Sequence, residues 1–213
     1  MIDLIFISTL QTLVMIIVAG AVGVTFGIPL GLVLFLTQKG QRLASPVLNF
    51  WVGLLTNLLR SIPYIILIVL MIPLTRLIVG SSIGLAASIV PLSLGALLLI
   101  ARMAEDAFKS VPKELLETGF SLGATNHQIV LKILIPESLP ALASGLTNIL
   151  IMLVGFSAMS GAVGGGGLGD LAIRYGYQRY DVIMLTAIVG VLIGLVQLIQ
   201  MVGDKISKRL MHF

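Results

Sequence analysis

From residue 4 to residue 38 the chain carries no charge, with Asp3 and Lys39 the nearest ionisable residues on either side. About 20 apolar residues suffice to cross the hydrocarbon core of a bilayer, so this run is longer than one span needs and predicts a membrane helix from Leu4 to Thr37. It has neither a basic leading segment nor a small-residue cleavage site, and is therefore expected to be a retained helix rather than a leader. The rest of the chain has the same character. Only 10% of its residues are charged and its mean hydropathy is +1.12, whereas soluble domains carry about 25% charged residues. An integral membrane protein is the class that fits.

Four further apolar runs predict helices at Ser61 to Val79, Ile83 to Ala101, Leu139 to Met159 and Val182 to Val202. The reading is an all-α membrane protein with five spans. With the N-terminus outside, the inner loops hold Lys39, Arg42, Arg60, Arg102, Lys109, Lys113, Lys132, Lys205, Lys208 and Arg209, against Arg76, Arg174 and Arg179 outside. That asymmetry follows the positive-inside rule and places the C-terminus in the cytoplasm. The net charge of +4 thus reports topology, and no nucleic-acid partner is expected.

Ser45 to Leu59 is apolar but too short for a full span. Asn49, Gly53, Thr56, Asn57 and Arg60 form a small or polar stripe along it, which suits a helix lying at the cytoplasmic edge with Trp51 at the interface. In the first helix, Ala19, Gly23, Gly27 and Gly31 recur every fourth residue, a spacing that lets helix backbones approach closely without saying which helix is the partner. Thr186, Gly190 and Gly194 repeat the pattern in the last span, whose outer end Asp181 is placed to cap. Pro29 and Pro91 are expected to kink or break their spans.

The polar stretch between the third and fourth spans is the most structured of the loops. Arg102 with Asp106 and Glu105 with Lys109 have helical ion-pair spacing, so the third helix is expected to continue into water. Ser110 and Pro112 suggest a fresh start for a short helix over Val111 to Leu122, ended by Gly123 in a left-handed cap. Thr125 and Gln128 make a capping box for a second short helix, with Ile129, Val130, Ile133 and Leu134 on one side and Pro136 as its stop. Two short helices with a glycine turn between them leave Leu115, Leu116 and Phe120 available to a partner's pocket.

No G-x-x-x-x-G-K-[ST] phosphate cradle exists, so the chain is expected to hydrolyse no ATP and to be no enzyme. Gly164, Gly166 and Gly169 satisfy G-x-G-x-x-G only formally. They follow a membrane helix rather than a strand and read as a flexible turn. The histidines are His127 and His212 alone, which offers no metal site. No cofactor is implied and, with no cysteine, no disulfide or thiolate chemistry either. The spans lack a central ionisable residue, which weighs against an ion-coupled carrier working alone.

The spacing Glu117, Gly123, Ile133, Pro136 resembles the cytoplasmic loop of the permease subunits of bacterial ABC importers, which runs Glu-Ala-Ala, three residues, Gly, nine residues, Ile-x-Leu-Pro. Thr118 and Gly119 stand for the two alanines and Ile135 for the leucine. The resemblance extends over about 9–206 of a single 213-residue transmembrane domain, with the loop at about 105–136. Arg60-Ser-Ile-Pro63, Met71-Ile-Pro73 with Thr75-Arg76, Ile100-Ala-Arg-Met103 and the segment Val154 to Val163 are similar to the methionine-import branch in particular. The resemblance implies a homodimer in the bacterial plasma membrane, an ATP-binding cassette ATPase in two copies below it and a methionine-binding lipoprotein above.

It also implies that Glu117 and Gly123 form the contact and the turn through which ATPase closure reaches the membrane helices. Phe156, Ser157 and Met159 are the candidates for lining the substrate path, because a ring and a thioether suit a methionine side chain. Tyr175, Tyr177, Arg179 and Tyr180 would make an outer cluster, either a receiving surface for the binding protein or an interfacial anchor. Another amino acid or an osmolyte as cargo, and a passive channel or scaffold, remain as alternatives.

Overall fold

The computed structural model describes residues 2–41 and 43–211; Arg42 and His212 lie outside them. The described residues are helical, with no strand among them. Helix α1 spans Ile2–Leu36 and passes unbroken through Pro29, and α5, Leu85–Lys109, does the same at Pro91. The two lie against each other, and the small-residue ladder of α1 is the seam. A Cβ on Gly27 would sit 2.8 Å from the Leu97 carbonyl oxygen, and one on Gly31 2.7 Å from the Ala104 Cβ. The partner of that ladder is therefore in the same chain. Met15, Leu92, Ala96, Ile100 and Leu153 are completely or almost completely buried around it.

The second span differs from its expectation. Instead of one helix over 61–79 there are two short ones, α3 at Tyr64–Leu70 and α4 at Ile72–Val79, preceded by α2 at Pro46–Ser61. The axes of α2 and α3 meet at 104°. Ile62 is extended, with ψ of 124°, as the residue before a proline prefers, and Pro63 then begins the next helix. Four helices are long and apolar enough to cross a membrane, or five if the bent α2–α3 pair counts as one. Along α2, Asn49 donates to the Leu34 carbonyl at 2.7 Å and Thr56 is buried. Asn57, Arg60 and Trp51 stay exposed, so only part of the expected stripe is a packing face.

The fourth helix is also longer than expected. Helix α7, Asn126–Ile129, runs through a π-helical turn at Val130–Leu134 into α8, Ile135–Ala162, and the three form one continuous 37-residue rod. Pro136 does not stop it. A proline in a regular α-helix clashes with the carbonyl four residues back, and the wider turn just before Pro136 relieves the clash.

Nor is the glycine run a flexible turn. Gly164, Gly166 and Gly167 all have positive φ. The Gly167 and Leu168 amides, at the start of the short helix α9, Gly167–Leu171, donate to Gln11 Oε1 and Thr12 Oγ1 of α1, each at 2.9 Å. Those side chains satisfy donors that a helix start otherwise leaves unpaired. The Gly84 amide donates to the Gly164 carbonyl at 3.0 Å, which fastens the run to the start of α5 as well. After a π-helical stretch at Ala172–Tyr177, α10 covers Val182–Leu210, and Asp181 caps it by accepting from the Met184 amide.

Candidate functional site

At the end of the molecule that holds Lys39, the chain leaves α5 and turns into α6, Lys113–Ser121. Ser110 does not cap that helix. Its hydroxyl donates back to the Ala107 carbonyl at 2.7 Å, and Pro112 occupies the cap position. Of the two expected ion pairs, Glu105 with Lys109 forms and Arg102 with Asp106 does not. Glu105 is 3% exposed and takes Arg102 at 2.5 Å, Lys109 at 2.7 Å and the Gln38 amide at 2.6 Å. Arg102 thus pairs with the residue just before Asp106, because the buried carboxylate beside Gln38 needs its charge compensated. The last turns of α5 are thereby tied to the loop after α1.

Helix α6 ends in a Schellman turn. Gly123 has φ of +84°, its amide donates to the Phe120 carbonyl at 2.9 Å, and the Ala124 amide reaches the Gly119 carbonyl at 3.1 Å. These two bonds satisfy carbonyls that a helix end would otherwise leave open, and the positive φ is what only glycine adopts cheaply. Thr125 and Gln128 then close the capping box that starts the 37-residue rod. Gly119 is buried where α6 crosses this rod, and a Cβ there would meet the Ile129 Cδ1 at 2.5 Å. The result is a stiff elbow whose two arms touch.

The three apolar side chains of α6 do not share a face. Leu116 is buried and Phe120 half-buried against Phe35, Ile129 and Leu134, while Leu115 is 41% exposed. An i, i+4 pair such as Leu116 and Phe120 falls on one helical face, and here that face is needed to hold the elbow to α1 and the rod. Leu122, a residue that spacing did not single out, is 83% exposed, one helical repeat from Leu115. Glu117 is exposed and borders, with Lys39 and Lys113, an open cleft of about 560 Å³ between α6 and the loop after α1.

Among the path candidates, Phe156 stacks flat on Tyr64 with ring centroids 4.3 Å apart. Both rings line a pocket with Leu99 and Arg60. Ser157 is buried and donates to the Val154 carbonyl of its own helix at 2.7 Å, and Met159 is 46% exposed. Tyr64 also bonds the Ser160 hydroxyl at 2.8 Å; nothing in the spacing of the two residues announced that link across α3 and α8. In the outer cluster, the Arg179 guanidinium lies over the Tyr175 ring at 4.6 Å, while Tyr177 and Tyr180 are largely exposed.

Residues 23–210 match the family described as the binding-protein-dependent transport system inner membrane component. The chain belongs to that family. The permease is 49% identical over 210 residues to a probable D-methionine transport system permease protein MetI of Vibrio cholerae, covering 99% of this chain and 93% of the relative. It is 50% identical over 151 residues to the D-methionine transport system permease protein MetI of Escherichia coli K12, covering 71% and 70%. A crystal form of the inward-facing MetNI methionine ABC transporter aligns with a TM-score of 0.96 and 47% identity, covering 99% of this permease and 97% of that chain. Membership in this family makes the chain a membrane component of a transport system and not an enzyme.

Proposed function

We propose that the chain is the transmembrane subunit of an ATP-driven methionine importer in the bacterial inner membrane. It works as a homodimer with two ATPase subunits on its cytoplasmic side and a methionine-binding protein on the other. The observation that carries this reading is the elbow: a capped, stiff, surface-exposed helix pair built into the end of a rod that runs the depth of the molecule. It stands beside a likeness to the methionine permeases that covers nearly the whole chain. In this reading the N-terminus is outside, the C-terminus cytoplasmic, and the bent α2–α3 pair supplies the fifth span.

Leu115 and Leu122 on one face of the elbow, and Glu117 at the mouth of the cleft, meet the ATPase, while Leu116 and Phe120 fasten α6 to the body so that the elbow moves as a unit. Gly123 fixes the turn. Because the second arm continues into α8 without interruption, a displacement of the elbow reaches the membrane level as a rigid-body movement. Phe156, next to Tyr64, lines the path; Ser157 and Met159 flank it on the same helix.

The test is reconstitution of the permease with its ATPase and binding protein. Labelled methionine should accumulate inside vesicles only with ATP, and a panel of other amino acids should compete poorly. Glu117→Ala and Gly123→Val should leave a folded permease that no longer couples ATP hydrolysis to uptake. Coupled uptake at the wild-type ratio in both variants would remove the lever assignment.

A further inference from the structure

Below the Tyr64–Phe156 stack, the pocket continues into a second, more open groove of about 440 Å³ between the α2 corner, α5 and α8. Arg60 and Leu99 line both, so the two form one channel-like depression. The lower part is unlike the upper. On α5, Leu99, Met103, Asp106 and Ser110 follow one another at helical spacing down its wall, and on α8 Asn148 faces them. This volume lies within the range of small-molecule pockets.

The charges in and next to the groove are unequally committed. Arg102 and Lys109 are both engaged by the buried Glu105, although Arg102 Nε is buried without a hydrogen-bond partner. Arg60, held out by the 104° break between α2 and α3, is exposed and has no ion pair or hydrogen bond among the described residues. Asn148 is exposed with its amide likewise unpartnered. Asp106 has only a loose contact with Lys109 at 3.8 Å, its side chain 75% exposed. A free cation, a free amide and an available carboxylate thus border a wall of Leu99, Met103 and Ile149.

We infer that this lower groove binds the zwitterionic head of an α-amino acid, Arg60 taking the carboxylate and Asp106 the ammonium, while the apolar wall takes the side chain. This deepens the importer reading and rests on it: the groove would be the last station before release. A lone anion would need no Asp106, and a hydrocarbon would need neither charge.

The chain has no cysteine, so Ala141→Cys, exposed on the groove's rim, gives the permease one reporter thiol. In the intact complex in nanodiscs, methionine should slow maleimide labelling of that thiol. Methionine amide and the deaminated acid should protect less. Arg60→Gln should raise the half-protecting concentration roughly tenfold or more, the loss expected of one charge-assisted hydrogen bond, and abolish the preference over the amide. Arg60→Lys should fall between the two, and Asp106→Asn should abolish the preference over the deaminated acid.

Labelling indifferent to methionine in a complex that still imports it would overturn the site and leave the importer reading intact. Protection in a complex that shows no ATP-driven uptake would keep the site and remove that reading. If removing anionic lipid alone changes the labelling rate, and Arg60→Gln reproduces the change, a lipid phosphate occupies Arg60 and the zwitterion assignment fails.

Discussion

Helices α1 and α10 carry the same signature of small residues four apart and use it in opposite ways. Gly23, Gly27 and Gly31 of α1 are buried against α5 so closely that side chains could not be added without moving backbone. Gly190 and Gly194 of α10 have no atom within 4 Å of where a Cβ would stand. Only Gly203, further along α10, is tightly packed, against the Thr147 side chain of α8. In a bilayer, where apolar surface gains nothing by leaving lipid, close packing and interhelical polar contacts decide which helices associate. The difference between the two ladders therefore lies in what faces them: α5 brings Ala96 and Ile100 against Gly23, the Leu97 carbonyl and Ile100 against Gly27, and Ala104 against Gly31, while no described residue faces Gly190 or Gly194.

That comparison can be broken at graded cost, read as the unfolding free energy of the detergent-solubilised permease. The largest effect is expected at the polar foot of the α1–α5 seam. Glu105→Ala removes the partner of buried Arg102 and of Gln38, and should cost about 4 kcal/mol, as the loss of one member of a buried ion pair does. A loss under about 1 kcal/mol would mean that the pair is hydrated rather than buried.

Next comes the seam itself. Gly31→Leu drives a side chain into the Ala104 methyl and the neighbouring backbone and should cost about 3 kcal/mol as an overpacked contact. Smaller again is Gly203→Ala, where the obstacle is the Thr147 side chain rather than a backbone atom; about 1 kcal/mol is expected. Gly190→Ala should cost nothing and instead gain about 0.5 kcal/mol, since open space leaves no contact to disturb and alanine is the better helix former. A cost at Gly190 equal to that at Gly31 would erase the distinction between the two ladders.

The elbow was legible because its signals are local. Gly123, Thr125 and Gln128 act on backbone groups within five residues of themselves, so spacing in the chain is spacing in space. Pro136 misled for the same reason: as a local breaker it predicts a stop, yet the π-helical turn ahead of it and the packing of Leu134 let the rod continue. At Ser61–Pro63 the extended Ile62 follows from the proline, but the angle between α2 and α3 does not. It is set by the contacts of Asn49 and Thr56 on one side and of Tyr64 on the other.

Composition and spacing alone established a membrane chain, the approximate positions of its long helices, and the turn chemistry of the elbow, since each depends on a residue and its near neighbours. Tertiary structure decided which face of α6 is free and that the glycine run is pinned by Gln11 and Thr12. It also decided that Glu105 is buried and that Arg60 stands unpaired on the same groove as Asp106. Each of these depends on side chains brought together from distant parts of the chain, and helix periodicity fixes a residue's direction on its own axis without fixing what lies across from it.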